Sequence, residues 1–346
     1  MAYTTIDNPE LHFQVKTYSG DGSAQSITLD GDEDMQPDFI WGKRRNSSAA
    51  HELYDSVRGT TKYLISNSTA AEDTNTNGIS AFNSDGFTLA GNSSINNGTI
   101  VAWCWKAGGS ASSDSNGSIT SSVSANTTAG FSIVAYTGNE TAGATVGHGL
   151  GAVPQTYWVK SRSVADGWRI YHHKVASDPE TDYLVLNNNN ANADSHGYWN
   201  DTAPTSSVFS LGAAGEVNTN SSTNIAYCFT EIKGYSKIGK YVGNANADGP
   251  FVYTGFKPAW LMVKGDRADG WQIMDNKREG YNVISPRLLA NDTASEYTNL
   301  TNCDFLSNGF KVRSNDSHMN YAEDYFYIAF AESPFVNSNG IPNNAR

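Results

Sequence analysis

Residues Thr145–Lys174 read TVGHGLGAVPQTYWVKSRSVADGWRIYHHK. Alternation through Tyr157, Trp158, Val159 and Lys160, a polar turn at Asp166-Gly167 and renewed alternation from Trp168 and Ile170 predict two strands joined by an Asp-Gly turn. The block recurs at Pro250–Lys277, PFVYTGFKPAWLMVKGDRADGWQIMDNK. Pro154 matches Pro258, Trp158 matches Leu261 or Met262, Lys160 matches Lys264, and Asp166-Gly167-Trp168 matches Asp269-Gly270-Trp271. A more diverged copy, Met35–Asp55, MQPDFIWGKRRNSSAAHELYD, keeps Pro37 and Lys43 and places Leu53 where the tryptophan falls. The chain is a triplication, and a period of this kind sets the fold before any single residue does.

Each copy opens with a strand ending in Tyr and a Gly turn: Phe13–Tyr18, Phe131–Tyr136 and Ser236–Tyr241. After the paired block comes a third strand, at Thr61–Ser66, Thr181–Leu186 and Tyr281–Ile284. A long polar loop follows in each: Asn67–Ile79, Asn187–Thr205 and Leu289–Thr301. Loops of that length inside a compact unit point to function. Asp85-Gly86 and Asn308-Gly309 predict tight hairpins in the outer copies, a form the middle copy, Val208–Gly212, has lost. The closing strands, Ile100–Trp105, Asn224–Phe229 and Tyr325–Phe330, carry bulky groups on one face and small ones on the other, the mark of a central strand between packed layers.

The expected fold is therefore all-β, three tandem antiparallel β-sandwich repeat domains with jelly-roll or lectin-like wiring left open. The boundaries expected are 1–109 for the first repeat, 110–129 for a Gly/Ser-rich flexible linker, 130–234 and 235–335 for the second and third repeats, and 336–346 for a polar tail without fixed structure. The first repeat is expected to be the separately mobile, attaching unit. The short linker at Glu231–Gly234 forces the other two together.

A net charge of −12 argues against a nucleic-acid partner, because neutralising phosphate needs clustered Lys and Arg. The cluster Lys43-Arg44-Arg45 reads as a solvated turn. No basic start with an apolar run opens the chain, and no stretch approaches the roughly 20 apolar residues of a membrane helix, so a cytoplasmically made protein without membrane insertion is expected. Cys104 and Cys228 hold equivalent strand positions, where the third copy has Ala329. They read as small buried residues, and no disulfide or zinc framework is expected with Cys303 left over.

No catalytic motif emerges. The run Asp30–Asp34 lacks the turn glycine and bidentate Glu of a calcium loop, having Met35 and Trp41 there. His172 and His173 are strand neighbours pointing to opposite faces, so they cannot chelate one ion and read as surface residues. Glu231 and Glu332 follow equivalent closing strands in different repeats, which is not the pairing of a glycosidase. No enzyme, cofactor or metal is expected. The candidate ligand site is HGYWND in the middle copy's loop, where Trp199, Tyr198, His196 and Asn200 offer an aromatic platform and polar groups for a sugar. Trp168 and Trp271, which recur, read as core.

The opening YTTIDNPELHFQVKTYSGDGSAQSITLDGDEDMQPDFIWGK, the segment HELYDSVRGTTKYL, the closing VAWCWKAGG and the terminal YFYIAFAESPF resemble virion proteins of tailed bacteriophages, especially those infecting marine bacteria. The resemblance runs along nearly the whole chain. It implies a virion structural protein exposed on the particle, a tail fibre or receptor-binding component that recognises a host-surface glycan or protein without catalysis. The implied partners are other virion proteins of the tail or capsid and further copies of the chain, with a trimer as the number considered. A capsid-decorating protein is the alternative, in which a triplicated chain mimics a trimer on a local three-fold position. A glycan-degrading tailspike is the second alternative.

Overall fold

Strand-forming stretches of Val, Ile, Tyr, Phe and Trp separated by Asn, Asp and Gly turns give an antiparallel architecture. The computed structural model describes residues 3–344. The first copy builds a main sheet from an opening strand Phe13–Asp21, a paired block Phe39–Arg44 and Glu52–Asp55, a third strand Lys62–Ile65 and a closing strand Asn97–Trp105. The closing strand lies between the opening strand and the paired block, so first and last strands of the copy hydrogen-bond each other. The same order recurs in Phe131–Thr137, Thr156–Ser161, Arg169–His172, Asp182–Val185 and Thr223–Phe229. It recurs again in Ser236–Val242, Phe256–Gly265, Gln272–Asp275, Leu288–Leu289 and Asp324–Pro334. Register repeats too: Lys43 faces Val101, Lys160 faces Ile225 and Lys264 faces Phe326.

A small sheet covers one face of each main sheet. It consists of Gln25–Ile27, Ile79–Asn83 and Gly86–Leu89 in the first copy, Ala144–Gly147 with Val208–Leu211 in the second, and Phe251–Tyr253, Cys303–Leu306 and Gly309–Val312 in the third. Ile40, Tyr54, Phe87 and Cys104 fill the first sandwich; Tyr157, Phe209 and Cys228 fill the second. The opposite faces of the three main sheets turn towards one another. Trp41, Trp103, Trp158, Tyr227 and Trp260 meet there in one shared cluster. Its rings pack edge to face, Trp41 on Trp103 at 5.7 Å and on Trp158 at 5.9 Å, and Trp105 on Trp260 at 5.5 Å. Aromatic pairs in this arrangement contribute about 0.5–1.5 kcal/mol each beyond the area they bury. The main sheets are thus buried on both faces, and the three copies share a continuous apolar centre.

Several expectations change. Segment 110–129 is not a free linker: Ser112–Asp114 and Ser121–Asn126 add two strands beside Phe131–Thr137, and Ile119 bridges Val146 of the small sheet. Its inward side chains alternate, Ile119, Ser121 and Val123 being buried while Thr120 and Ser122 are exposed. Composition suggested flexibility, but period-2 burial turned the stretch into a strap. The first repeat, locked into the shared cluster, is not separately mobile. The third copy's third strand is Leu288–Leu289, not Tyr281–Ile284. Tyr281 is exposed, Ile284 makes only an isolated bridge to Cys303, and Pro286 intervenes. Residues 336–344 of the tail fold back, Asn337 N bonding Ile341 O at 2.9 Å and Asn343 N bonding Phe335 O at 3.0 Å; positions 345 and 346 lie outside the described residues. The N-terminal segment lies alongside, with Ser338 N on Asp7 Oδ1 at 2.6 Å and Tyr3 edge-on to Phe335.

Candidate functional site

The HGYWND platform does not form. Trp199 is fully buried in the second sandwich, edge-on to Tyr157 at 4.9 Å, and donates Nε1–H to Asp182 O at 2.9 Å. The segment His196–Trp199 is a single helical turn capped by Ser195, and it drives the indole inward. Tyr198 is buried beneath Arg169 and hydrogen-bonds Glu216, whereas His196 stays exposed on Asp201. Asn200 takes the left-handed conformation that ends the turn (φ 56°). These four residues therefore do not share one exposed face. An unrepeated tryptophan in a polar loop looked free, and its burial comes from the helical turn.

The structure instead brings the three long loops together. In the second copy Trp168 donates Nε1–H to Ile65 O of the first at 2.9 Å; in the third copy Trp271 donates to Val185 O of the second at 2.8 Å. Ile65 and Val185 are equivalent third-strand residues, facing Glu52 and Arg169. Leu289, facing Gln272, is their counterpart, and His51 of the first copy reaches Leu289 O at 3.0 Å. His51, not Leu53, therefore holds the tryptophan place; Leu53 pairs with Trp41 as Ile170 pairs with Trp158. Trp41 donates Nε1–H to His51 Nδ1 at 2.8 Å, which leaves Nε2 as the donor to Leu289 and makes the imidazole an indole mimic. Burial holds its pKa well below the usual histidine value, so it stays neutral. Each copy thus grips the next, and the last seam closes a ring with a pseudo-three-fold axis.

Two seams carry matching ionic networks. Asp55 accepts from the Arg58 guanidinium and from Tyr227 OH of the second copy at 2.7 Å, while Glu72 pairs with Arg58 at 3.3 Å and with Arg162 of the second copy at 2.8 Å. Asp275 accepts from Arg278 Nε at 2.6 Å and Trp103 Nε1 of the first copy at 2.9 Å; Glu296 pairs with Arg278 and with Arg45 of the first copy, both at 2.9 Å. Burial alone would raise the Glu72 carboxyl, but the Arg162 hydrogen bonds and the Arg58 and Arg162 charges hold it below the usual carboxylate range. Among the described residues the third seam, between second and third copies, lacks this network and has instead the pair Lys237–Glu231 at 2.8 Å. His172 stands in the place of Asp55 and Asp275, Val175 in that of Arg58 and Arg278, and Ile328 in that of Tyr227 and Trp103. His172 and His173 are seam residues, not surface ones, with His173 Nε2 on Ile238 O at 2.9 Å. Burial pushes His172 down to about 3.

Lys43, Lys160 and Lys264 are buried, and burial lowers each ammonium to about 8. Lys43 Nζ reaches Thr293 O across the first–third seam at 3.1 Å, and Lys160 Nζ reaches Thr69 O at 3.4 Å. The solvated basic turn read at Lys43–Arg45 is therefore seam structure. Asn67, Asn187 and Asn291 each begin a long loop, and each side chain accepts the amide of His51, Trp168 or Trp271. Ser66 Oγ donates to Ala290 O across the axis at 2.6 Å. The loops leave the end of the sheets beyond Ile65, opposite the end where Phe39 pairs with Trp105. Their exposed positions form a polar three-lobed face: Thr69 and Ala70, Asn189 and Asn190, Asp292 and Thr293. The equivalence of Lys43, Lys160 and Lys264 was legible in sequence; their inter-copy role was not. The recurring Asn after the third strand was the signal available for the axial face.

Among the described residues no three His, Cys, Asp or Glu side chains gather to hold a metal ion. The buried carboxylates Asp55 and Asp275 are committed to an Arg of their own copy and to a phenol or indole donor across a seam. The geometry offers a rigid frame with amide and hydroxyl groups displayed at one end of an axis.

Fold and site define an all-β protein of three sandwiches closed into a ring around a shared aromatic centre. The chain belongs to the family described as Domain of unknown function (DUF7483), whose model matches residues 8–334. No curated protein matches the chain, and no solved structure does.

Proposed function

We propose that the chain is a structural protein of a tailed-phage virion, a tail-fibre or receptor-binding component that acts by binding a host-surface glycan through its three-lobed axial face. The observation that supports this is the convergence of the loops beginning at Asn67, Asn187 and Asn291 around one end of a closed ring. Asn, Thr and Asp side chains supply the donors and acceptors that sugar hydroxyls need. Three related lobes let weak contacts add by repetition. Replacing Thr69, Asn189, Asn190 and Thr293 by Ala is expected to abolish binding of the purified protein to a glycan array and its competition with phage adsorption. Unchanged binding by this variant overturns the reading.

The internal pseudo-three-fold favours a second reading, a decorating protein whose single chain sits on a local three-fold position of a capsid. Copy number in purified virions separates the two. A count matching the capsid's local three-folds supports decoration, and one matching the symmetry of a tail organelle supports the first reading.

A further inference from the structure

The strap of the second copy shows what covers an open sandwich edge in this fold. Ile119 N bonds Thr145 O at 2.9 Å, Ser118 and Thr145 exchange two 2.9 Å bonds, and Ser121 Oγ reaches Gly147 O at 2.8 Å. Ser121 also pairs with Tyr136 on the main sheet, so one extended segment closes both sheets of the sandwich. Beneath it Val146 is fully buried, and Gly149 (φ +69°) lets the strap approach where a Cβ would meet Val123 at 2.9 Å.

Register gives the third copy's counterparts. Tyr136 and Thr137 correspond to Tyr241 and Val242; Thr145, Val146 and Gly147 correspond to Phe251, Val252 and Tyr253. No strap lies there among the described residues; at one end Tyr3 of the N-terminal segment bonds Tyr253 OH at 2.8 Å and donates to Gly255 O at 3.0 Å. The backbone of Ile238 is capped by Glu231 at 2.8 Å and His173 at 2.9 Å, but Lys240 and Val242, which turn the same way, have no partner on that side among the described residues. The outward side chains have changed as well. Val242 is 62% exposed, Phe251 46% and Tyr253 52%, where the first copy has Ser19, Ser26 and Thr28. A cleft of about 380 Å³ opens beside Tyr253, between Lys237 and Gly255.

We propose that this edge, Lys240–Val242 with Phe251–Tyr253, is a docking site for an extended strand of a partner polypeptide. The strand adds to both sheets as the strap does, and its alternate apolar residues cover Val252 and the Phe251 and Tyr253 rings. The site stands independently of the axial face and of the virion reading.

The probe is a synthetic peptide with the chain's own strap sequence, Gly117–Asn126, added at millimolar concentration to the full-length protein, with backbone amide exchange read by residue. Slowed exchange at Lys240, Val242 and Phe251 is expected. A peptide carrying Ser at the positions of Ile119 and Val123 should give none. The triple variant Val242→Ser, Phe251→Ser, Tyr253→Thr, which restores the first copy's residues, should weaken peptide binding at least tenfold with thermal stability retained. No protection at those amides, equal protection by the Ser-substituted peptide, or undiminished binding by a folded triple variant overturns the proposal.

Discussion

Replacing Asp275 by Ala tests whether the ring is held by its seams. The Asp275 side chain is fully enclosed and takes four donors: Arg278 Nε at 2.6 Å, Trp103 Nε1 of the first copy at 2.9 Å, and the amides of Arg278 and Lys277 at 3.0 and 3.1 Å. Removing it leaves a buried guanidinium whose remaining partners are Glu296 at 2.9 Å and Ile273 O at 2.8 Å, together with a buried indole N–H. Breaking one side of a buried pair costs about 3–5 kcal/mol, and an orphaned donor about 1–3 kcal/mol. The two losses share one site and do not add, so about 4–5 kcal/mol is expected. The double variant Asp275→Leu, Arg278→Met removes both charges and should recover at least about 2 kcal/mol of this, since a buried pair exchanged as a whole for apolar groups is often near neutral. Urea unfolding followed by tryptophan fluorescence gives both numbers. A single variant within about 1 kcal/mol of the parent, a difference too small for a buried unpaired charge, refutes the reasoning. So does a double variant no better than the single.

Acidification should weaken the second–third seam. The unfolded chain protonates His172 near the ordinary histidine value and the folded ring only near 3, so its stabilising contribution falls as pH drops through that window, by about 2 kcal/mol between roughly pH 7 and 5. His172→Met should flatten that part of the pH–stability curve, and an unchanged slope counts against the assignment. The buried lysines act in the same sense at higher pH. With a folded value of about 8 and an ordinary one of 10.5, the unfolded chain holds protons that the folded chain has released, so stability rises with pH across this interval. Parent minus Lys160→Met should therefore shift in the parent's favour by about 2 kcal/mol from roughly pH 7 to 9.5, and a pH-independent difference refutes it. Trp199→Ala should cost about 3–5 kcal/mol of stability as a core truncation; a variant as stable as the parent would return that indole to the surface. The amides of Ile119 and Val123 should exchange as slowly as those of the second main sheet, and coil-like exchange would restore the flexible linker.

Repetition made the fold readable. Lys43, Lys160 and Lys264 fix three registers at once, and the bulky-small alternation at Trp103-Cys104-Trp105 and Tyr227-Cys228-Phe229 identified central strands whose two faces meet different neighbours. Composition misled where it spoke against pattern. Gly and Ser at 110–126 suggested slack chain, yet Ile119, Ser121, Val123 and Ala125 keep a strand's spacing. The site was less legible, because it is made between copies. Nothing local to Asp55 announces that Tyr227, far along the chain, donates to it. His51 as a stand-in for Trp168 and Trp271 is visible only through the carbonyl that each ring addresses. Trp199 shows the converse: non-repetition suggested a ligand, whereas the middle sandwich uses that indole as core beside Tyr157.

The ends of the described chain lie side by side, Asp7 on Ser338 and Tyr3 against Phe335, at a junction comparable to the other two. The described residues thus come close to forming a loop of three links. Joining the two ends by a tether and opening the chain at Glu231–Gly234 would yield a circular permutant that keeps the three main sheets and loses the turn bonds from Tyr235 N and Ser236 N to Ile232 O. The distribution of ionic networks fits this view: the seam that lacks them among the described residues is the one whose partners are tied by the shortest peptide, where proximity is already enforced by covalent bonds.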